Sequence, residues 1–250
     1  MKRPRGSSAV MAQRQVITAE QIEADPRADL DFFPTPPWAT RALLQHVLHI
    51  DAQRGRHLSC WEPCCGEGHM AEPLREVFGT VYASDVYPHG YGAVGSFVDG
   101  GGLDICDVAQ CPFRPDWIIT NPPFALAIEI ARRALREARH GVALLVRTAW
   151  LESEQRYAFF SEAEPFRFAP FAERVAMTRY AWVPDASSAT AYAWFVWSCP
   201  TWSAANGSPR FETKLIPPGC KRSLTKPSDL RLAEPGRAPN VPMEWRGAQP

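Results

Sequence analysis

The chain has 250 residues, enough for one sizeable core or a domain with a small appendage. Its hydrophobic fraction of 46% and nine Trp are those of a globular protein, and no apolar run approaches the ~20 residues that a membrane-crossing helix needs. Lys plus Arg and Asp plus Glu both total 27, so net charge favours neither a polyanionic nor a polycationic partner.

Residues 1–28 are polar, show no apolar period and read as a flexible arm. The basic start MKRPRGSSAVMAQRQ lacks the apolar stretch of a secretory signal, so a cytoplasmic location is expected. Pro36-Pro37 open a predicted helix with Trp38, Leu43, Leu44, Val47 and Leu48 on one stripe. His57 to Pro63 predicts a strand, Met70 to Phe78 a helix, and Thr80 to Tyr87 a second strand. The Gly-rich VGSFVDGGGLD blurs a third. Asp116 to Thr120 (DWIIT) reads as a buried strand. The helix after it puts Phe124, Ile128, Ala131 and Leu135 on one side and Arg132, Arg133, Arg136 and Arg139 on the other. Val142 to Val146 is a further strand and Glu154 to Ala163 a helix. Arg174 to Tyr180 and Ala189 to Trp197 predict an antiparallel pair.

From Pro217 to the end, repeated Pro, Gly and charge predict an extended or disordered tail. That leaves residues 29–216 as one α/β domain, a doubly wound, mostly parallel sheet with helices on both faces and a C-terminal antiparallel hairpin. The helix arginines and the basic tail residues (Lys214, Lys221, Arg222, Lys226, Arg231, Arg237, Arg246) suit either a phosphate backbone or a solvated face. Seven Cys without a CxxC pair and six scattered His predict free thiols and no metal.

The first strand ends in Glu62-Pro63-Cys64-Cys65-Gly66-Glu67-Gly68, at the strand end where ligands bind in such sheets. Two closely spaced glycines would let the backbone pass near a ligand. The turn is not GxGxxG and has no Walker lysine. Its acids, Glu62 and Glu67, repel pyrophosphate and favour a cationic, hydroxyl-rich ligand, a description that S-adenosylmethionine fits. Asp85 closes the second strand at about the spacing where an acid meets ribose hydroxyls in dinucleotide folds.

Asn121-Pro122-Pro123-Phe124 follows DWIIT directly. The prolines fix their own φ and hold the preceding residue out of the helical region, which makes a rigid, acceptor-rich turn. The Asn121 side-chain oxygen and the Pro122 carbonyl could accept two hydrogens from one NH2 group. They would aim the nitrogen's weak lone pair at a methyl carbon, so catalysis would be positioning and charge placement. Phe124 offers a stacking face. The alternative is a helix start with Asn121 as its cap.

With these motifs in this order, Asp31 to Trp197 resembles the amino-methylating DNA methyltransferases, whose site reads (Asp/Asn/Ser)-Pro-Pro-(Tyr/Phe/Trp). It looks closest to the small phage or prophage adenine-N6 methylases. The resemblance implies a Rossmann-like class I methyltransferase fold, S-adenosylmethionine as cofactor, and DNA as partner, its adenine flipped from a duplex or in a single strand. The implied catalytic set is Asn121, Pro122, Pro123 and Phe124. DFFPTPPWATRALL would bring Thr35 to the cofactor's carboxylate, and WEPCCGEGHMAEPL would set Glu62, Cys64, Gly66 and Gly68 around its methionine portion. Asp85 would take the ribose hydroxyls, and Asp104, with Ile105 beside it, the cofactor adenine; Asp99 and Asp107 compete for that role. Phe124 stands where Tyr is commoner.

No separate target-recognition domain is visible. Trp150, Arg156, Arg174, Arg179, Tyr180, Trp182, Trp194 and Trp197 are the residues from which DNA contacts could come, although AYAWFVW reads mostly as core. NPP(Y/F) also serves enzymes acting on an RNA base or a protein glutamine amide. A non-catalytic nucleic-acid-binding module on the same fold is the reading of another class.

Overall fold

The computed structural model describes residues 31–98, 109–199 and 211–233. Eight strands form one sheet: β1 Ser59–Glu62, β2 Thr80–Asp85, β3 Ala93–Val94, β4 Trp117–Thr120, β5 Gly141–Arg147, β6 Arg167–Pro170, β7 Tyr192–Ser198 and β8 Glu212–Thr213. Their order is β3-β2-β1-β4-β5-β7-β6-β8. The first five pair in parallel. β7 enters antiparallel between β5 and β6, and β8 lies parallel to β6. This is the doubly wound, Rossmann-like architecture expected from the alternation of elements. Strand order reverses between β1 and β4, which opens a crevice at their carboxyl ends.

The helices are α1 Pro37–Ala42, continued by a π-helical stretch Leu43–Leu48, then α2 Ala52–Gly55, α3 Ala71–Arg75, α4 Ala127–Glu137, α5 Glu154–Glu162 and α6 Cys220–Leu224. Pro37 starts α1 where its missing N–H costs nothing, and His49, in the left-handed region, ends the π-helical stretch. None of the helices among the described residues is long and apolar enough to cross a membrane.

Period-two alternation divides the strand side chains between two cores. Ile119, Leu145 and Trp194 face Trp38, Leu43 and Leu74 on one side. Their neighbours Ile118, Leu144 and Phe195 face Ile128, Ile130 and Phe159 on the other.

Three expectations need correction. β7 pairs with Arg167–Pro170, not with Arg174–Tyr180, which is loop. Val175 and Met177 spend their apolar surface on the core beneath α1 instead of in a strand. Second, Arg133 does not share the exposed face that Arg132 and Arg136 occupy on α4. Arg132 pairs with Glu162 at 2.8 Å, while Arg133 stacks 4.4 Å from the Phe97 ring centroid and donates to the Phe97 and Ala109 carbonyls. Third, Cys220–Leu224 and Pro227–Ala233 are helical and packed, with Cys220, Asp229 and Leu232 buried.

Arg41 of α1 anchors this carboxyl-terminal segment. Its guanidinium donates to both Asp229 oxygens at 2.7 and 2.8 Å, to Glu76 at 2.6 and 2.9 Å, and to the Leu224 carbonyl at 2.7 Å. Burial alone would favour losing its proton, but the bonds to Asp229 and Glu76 outweigh it and raise the pKa.

Candidate active site

A cleft opens at the carboxyl ends of β1, β2 and β4, with Glu62, Cys64, Asp85 and Asn121 on its walls and Phe32 and Thr35 entering from before α1. Its void is about 540 Å³ with the open mouth included. The acidic turn and the Asn-Pro-Pro-Phe turn, far apart in sequence, thus share one crevice. Pro123 also lines it, whereas Pro122, which is buried, and Phe124 do not. Asp104 and Ile105 lie outside the described residues, as do Asp99 and Asp107.

Gly66 and Gly68 shape the turn without lining the cleft, and the reason for glycine differs from the one expected. Both hold left-handed backbones, φ 51° and 87°. A Cβ on Gly66 would lie 2.3 Å from the Phe32 ring, and one on Gly68 2.6 Å from the Tyr91 ring. The turn is therefore closed over by the protein's own aromatics. Gly66→Ala should cost at least ~1–2 kcal/mol through its backbone alone, and more by pushing Phe32 off the cleft wall. Thermal unfolding of the variant measures this; wild-type stability would show that the ring yields freely.

Asp85 ties the turn to the end of β2. Its carboxylate accepts the Gly66 N–H at 2.8 Å and the Tyr87 N–H at 3.1 Å. Burial nevertheless pushes its pKa up to about 6, these backbone bonds opposing the rise. Glu62 is raised well above the usual carboxylate range by burial and then by the charge of Asp85, with the Ala71 N–H pulling the other way. Its Oε2 is buried without a hydrogen-bond partner among the described residues.

His69 was missed from the sequence. Only 2% exposed, it sits 2.6 Å through Nε2 from the Leu232 carbonyl, so Nε2 carries the proton. Burial pushes its pKa down to about 4, which keeps the ring neutral. Nδ1 is then a buried acceptor without a partner among the described residues, in a side chain that lines the cleft. Its role depends on a segment 163 residues away, so no local pattern announces it. Phe32 and His89, their rings 4.4 Å apart and tilted by 32°, also line the cleft.

Cys64 lies against Thr120 at the end of β4, and burial, followed by the Asp85 charge, raises its thiol pKa. It stays a thiol and is unsuited to nucleophilic work. Among the described residues, no group of three or more His, Cys, Asp and Glu is placed to hold a metal.

Asn121 does not cap the following helix. Its Nδ2 donates to the Phe33 carbonyl at 3.0 Å and to the Thr35 hydroxyl at 3.1 Å, with Met177 Sδ at 3.7 Å. A carbonyl can only accept, so the amide nitrogen must face Phe33 and Oδ1 is turned away from it. Neither Oδ1 nor the Pro122 carbonyl accepts a hydrogen bond from the described residues. The half-buried Phe124 ring lies 6.1 Å from Phe33 and carries the Arg147 guanidinium 4.3 Å from its centroid. Of the proposed DNA-facing aromatics, Trp150, Trp182, Trp194 and Trp197 are core, which removes them as base-stacking surfaces. Tyr180 is half-buried, and its N–H donates to the Phe32 carbonyl at 3.0 Å.

No protein-family model matches the chain, and no curated protein matches it by sequence. Solved structures with a similar fold include a protein assigned as the modification subunit of a type I restriction enzyme from Vibrio vulnificus, with 15% identity and a TM-score of 0.45. That alignment covers 78% of this chain and 48% of the subunit, so this chain spans about half the subunit's length. Magnesium protoporphyrin IX methyltransferase from Synechocystis, crystallised with S-adenosylmethionine, has 14% identity, TM-score 0.41 and coverage of 73% and 85%. A dimethyladenosine transferase from Plasmodium falciparum has 12% identity, TM-score 0.44 and coverage of 70% and 65%.

Proposed function

We propose that the protein is an S-adenosylmethionine-dependent methyltransferase acting on an exocyclic amine, with adenine N6 in DNA as its substrate. One observation supports the reading: Phe33 and Thr35 engage the Asn121 amide through its nitrogen, which leaves its oxygen to accept, and the Pro122 carbonyl is the second acceptor of the same turn. Those two acceptors would take both hydrogens of an amino group, orient its lone pair, and leave the proton to pass to water after transfer. Phe124 would stack on the base, at about 1–3 kcal/mol per base.

The cleft fits the cofactor. S-adenosylmethionine carries an ammonium and a sulfonium, and the wall supplies two raised carboxylates together with the partnerless Glu62 Oε2 and His69 Nδ1. Glu62 and His69 would hold the ammonium, Asp85 the ribose hydroxyls and Thr35 the carboxylate. Bound, the cofactor would supply an electrophilic methyl group on a cationic sulfur. Cys64, Gly66 and Gly68 would shape the floor and turn of this site.

Raised carboxylates make binding pH-dependent. In the protein alone, Asp85 and Glu62 hold protons more firmly folded than unfolded, so their contribution favours folding at low pH; that of Asp85 is lost as pH rises through about 6. A bound cation favours the ionised forms, so between pH 6 and 7 cofactor binding should release protons. Calorimetry in buffers of different ionisation enthalpy measures this; equal enthalpies in all buffers would show that neither acid titrates on binding.

Label transfer from tritiated cofactor to DNA, RNA and cell extract, run in parallel, tests the substrate. DNA should take the label. Label in RNA or a protein amide would reassign the target, and a protein that gives no heat with S-adenosylmethionine would be a binding module only.

A further inference from the structure

We infer that Arg147 is a positioning residue that grips a phosphate next to the target base, with Phe124 as its backstop; this rests on the nucleic-acid reading above. Leu144 of β5 pairs with Thr120 of β4, so Arg147, at the end of β5, stands level with the Asn121–Phe124 turn. Its guanidinium carbon lies 4.3 Å from the Phe124 centroid, a face-stacking distance. On the other side Arg147 is register partner to Tyr192 and hydrogen-bonds that hydroxyl. The cation is held between a ring and a phenol while remaining exposed to solvent.

Nothing described neutralises it. Arg132, Arg167 and Arg231 each meet a carboxylate, whereas Arg147 has none within ion-pair distance among the described residues, although Asp31 is near enough to act on Tyr192. A guanidinium has five N–H donors in a planar fork that matches phosphate oxygens. Tyr192 engages part of that fork, and the residue remains exposed beside the Asn121–Phe124 turn. An anion arriving there is fixed relative to Phe124, because one group contacts both. With a base stacked against the remaining surface of Phe124, the anion at that position is the phosphodiester of the same or the adjoining nucleotide. Arg147 would therefore set how far the base enters without touching the reacting nitrogen.

Anisotropy of a labelled single-stranded oligonucleotide, titrated at several salt concentrations with S-adenosylhomocysteine present, tests this on wild type, Arg147→Gln and Arg147→Lys. Arg147→Gln should lose about tenfold in affinity and about one phosphate's worth of salt dependence. Arg147→Lys should keep the salt dependence while losing part of the affinity, and all three should bind S-adenosylhomocysteine alike. Uncharged methylphosphonates flanking one adenine should weaken wild type and add nothing to the loss in Arg147→Gln. Equal affinity and salt slope for wild type and Arg147→Gln would overturn the role of Arg147 while the nucleic-acid reading stands. Wild type that binds S-adenosylhomocysteine but no oligonucleotide would overturn both.

Discussion

Asn121→Ala should lower kcat for methyl transfer about a thousandfold and leave S-adenosylmethionine affinity within about threefold. The magnitude follows from removing one preorganised group aimed at the reacting centre, which costs roughly 10²–10³ in rate. The selectivity follows from geometry. Asn121 reaches the Phe33 carbonyl and the Thr35 hydroxyl through Nδ2, whereas Glu62, Asp85 and His69 hold their positions through the glycine turn, Ala71 and Leu232. Alanine would free the amine without disturbing the acidic wall. Single-turnover rates with calorimetry on the same preparation separate the two effects. A variant that transfers at the wild-type rate would mean that the amine is held elsewhere.

Asp229→Ala should destabilise the fold by about 3 kcal/mol, the cost of stripping one partner from a buried ion pair. Arg41 and Asp229 are 8% and 4% exposed, and the pair joins α1 to a segment 188 residues away. Glu76 would remain on Arg41, which keeps the loss at the low end of the range for broken buried pairs. Because Leu232 also holds His69, the same variant should weaken cofactor binding although Asp229 does not line the cleft. Lys226→Ala is the control, since its half-exposed bond to Glu76 should contribute under ~1 kcal/mol. Chemical denaturation of both variants measures the difference, and equal midpoints would remove Asp229 as the anchor.

These two residues mark the limits of what the sequence reveals. Asn121 is legible because a strand, two prolines and an aromatic fix its surroundings locally. The parallel half of the sheet is legible for a similar reason: DWIIT and its neighbours carry their burial within a few residues. Asp229 is not legible, because it sits in a Pro- and charge-rich stretch whose order comes from an arginine on a distant helix. The partner of β7 was misread on the same principle. Arg167–Pro170 is short and ends in proline, yet tertiary pairing selects it over the more strand-like run around Val175. The close approach at the glycines is not legible, since the rings of Phe32 and Tyr91 that a Cβ would meet cannot be seen in Gly66-Glu67-Gly68 alone.

In the proposed mechanism the Asn121 and Pro122 acceptors select an amino nitrogen. DNA exposed to the enzyme and S-adenosylmethionine, digested to nucleosides and resolved by mass spectrometry, tests it most directly. N6-methyl-2′-deoxyadenosine should be the methylated product and should fall about a thousandfold with Asn121→Ala. A methyl group on a ring carbon or an oxygen, or N6-methyl-2′-deoxyadenosine formed undiminished by that variant, would contradict it.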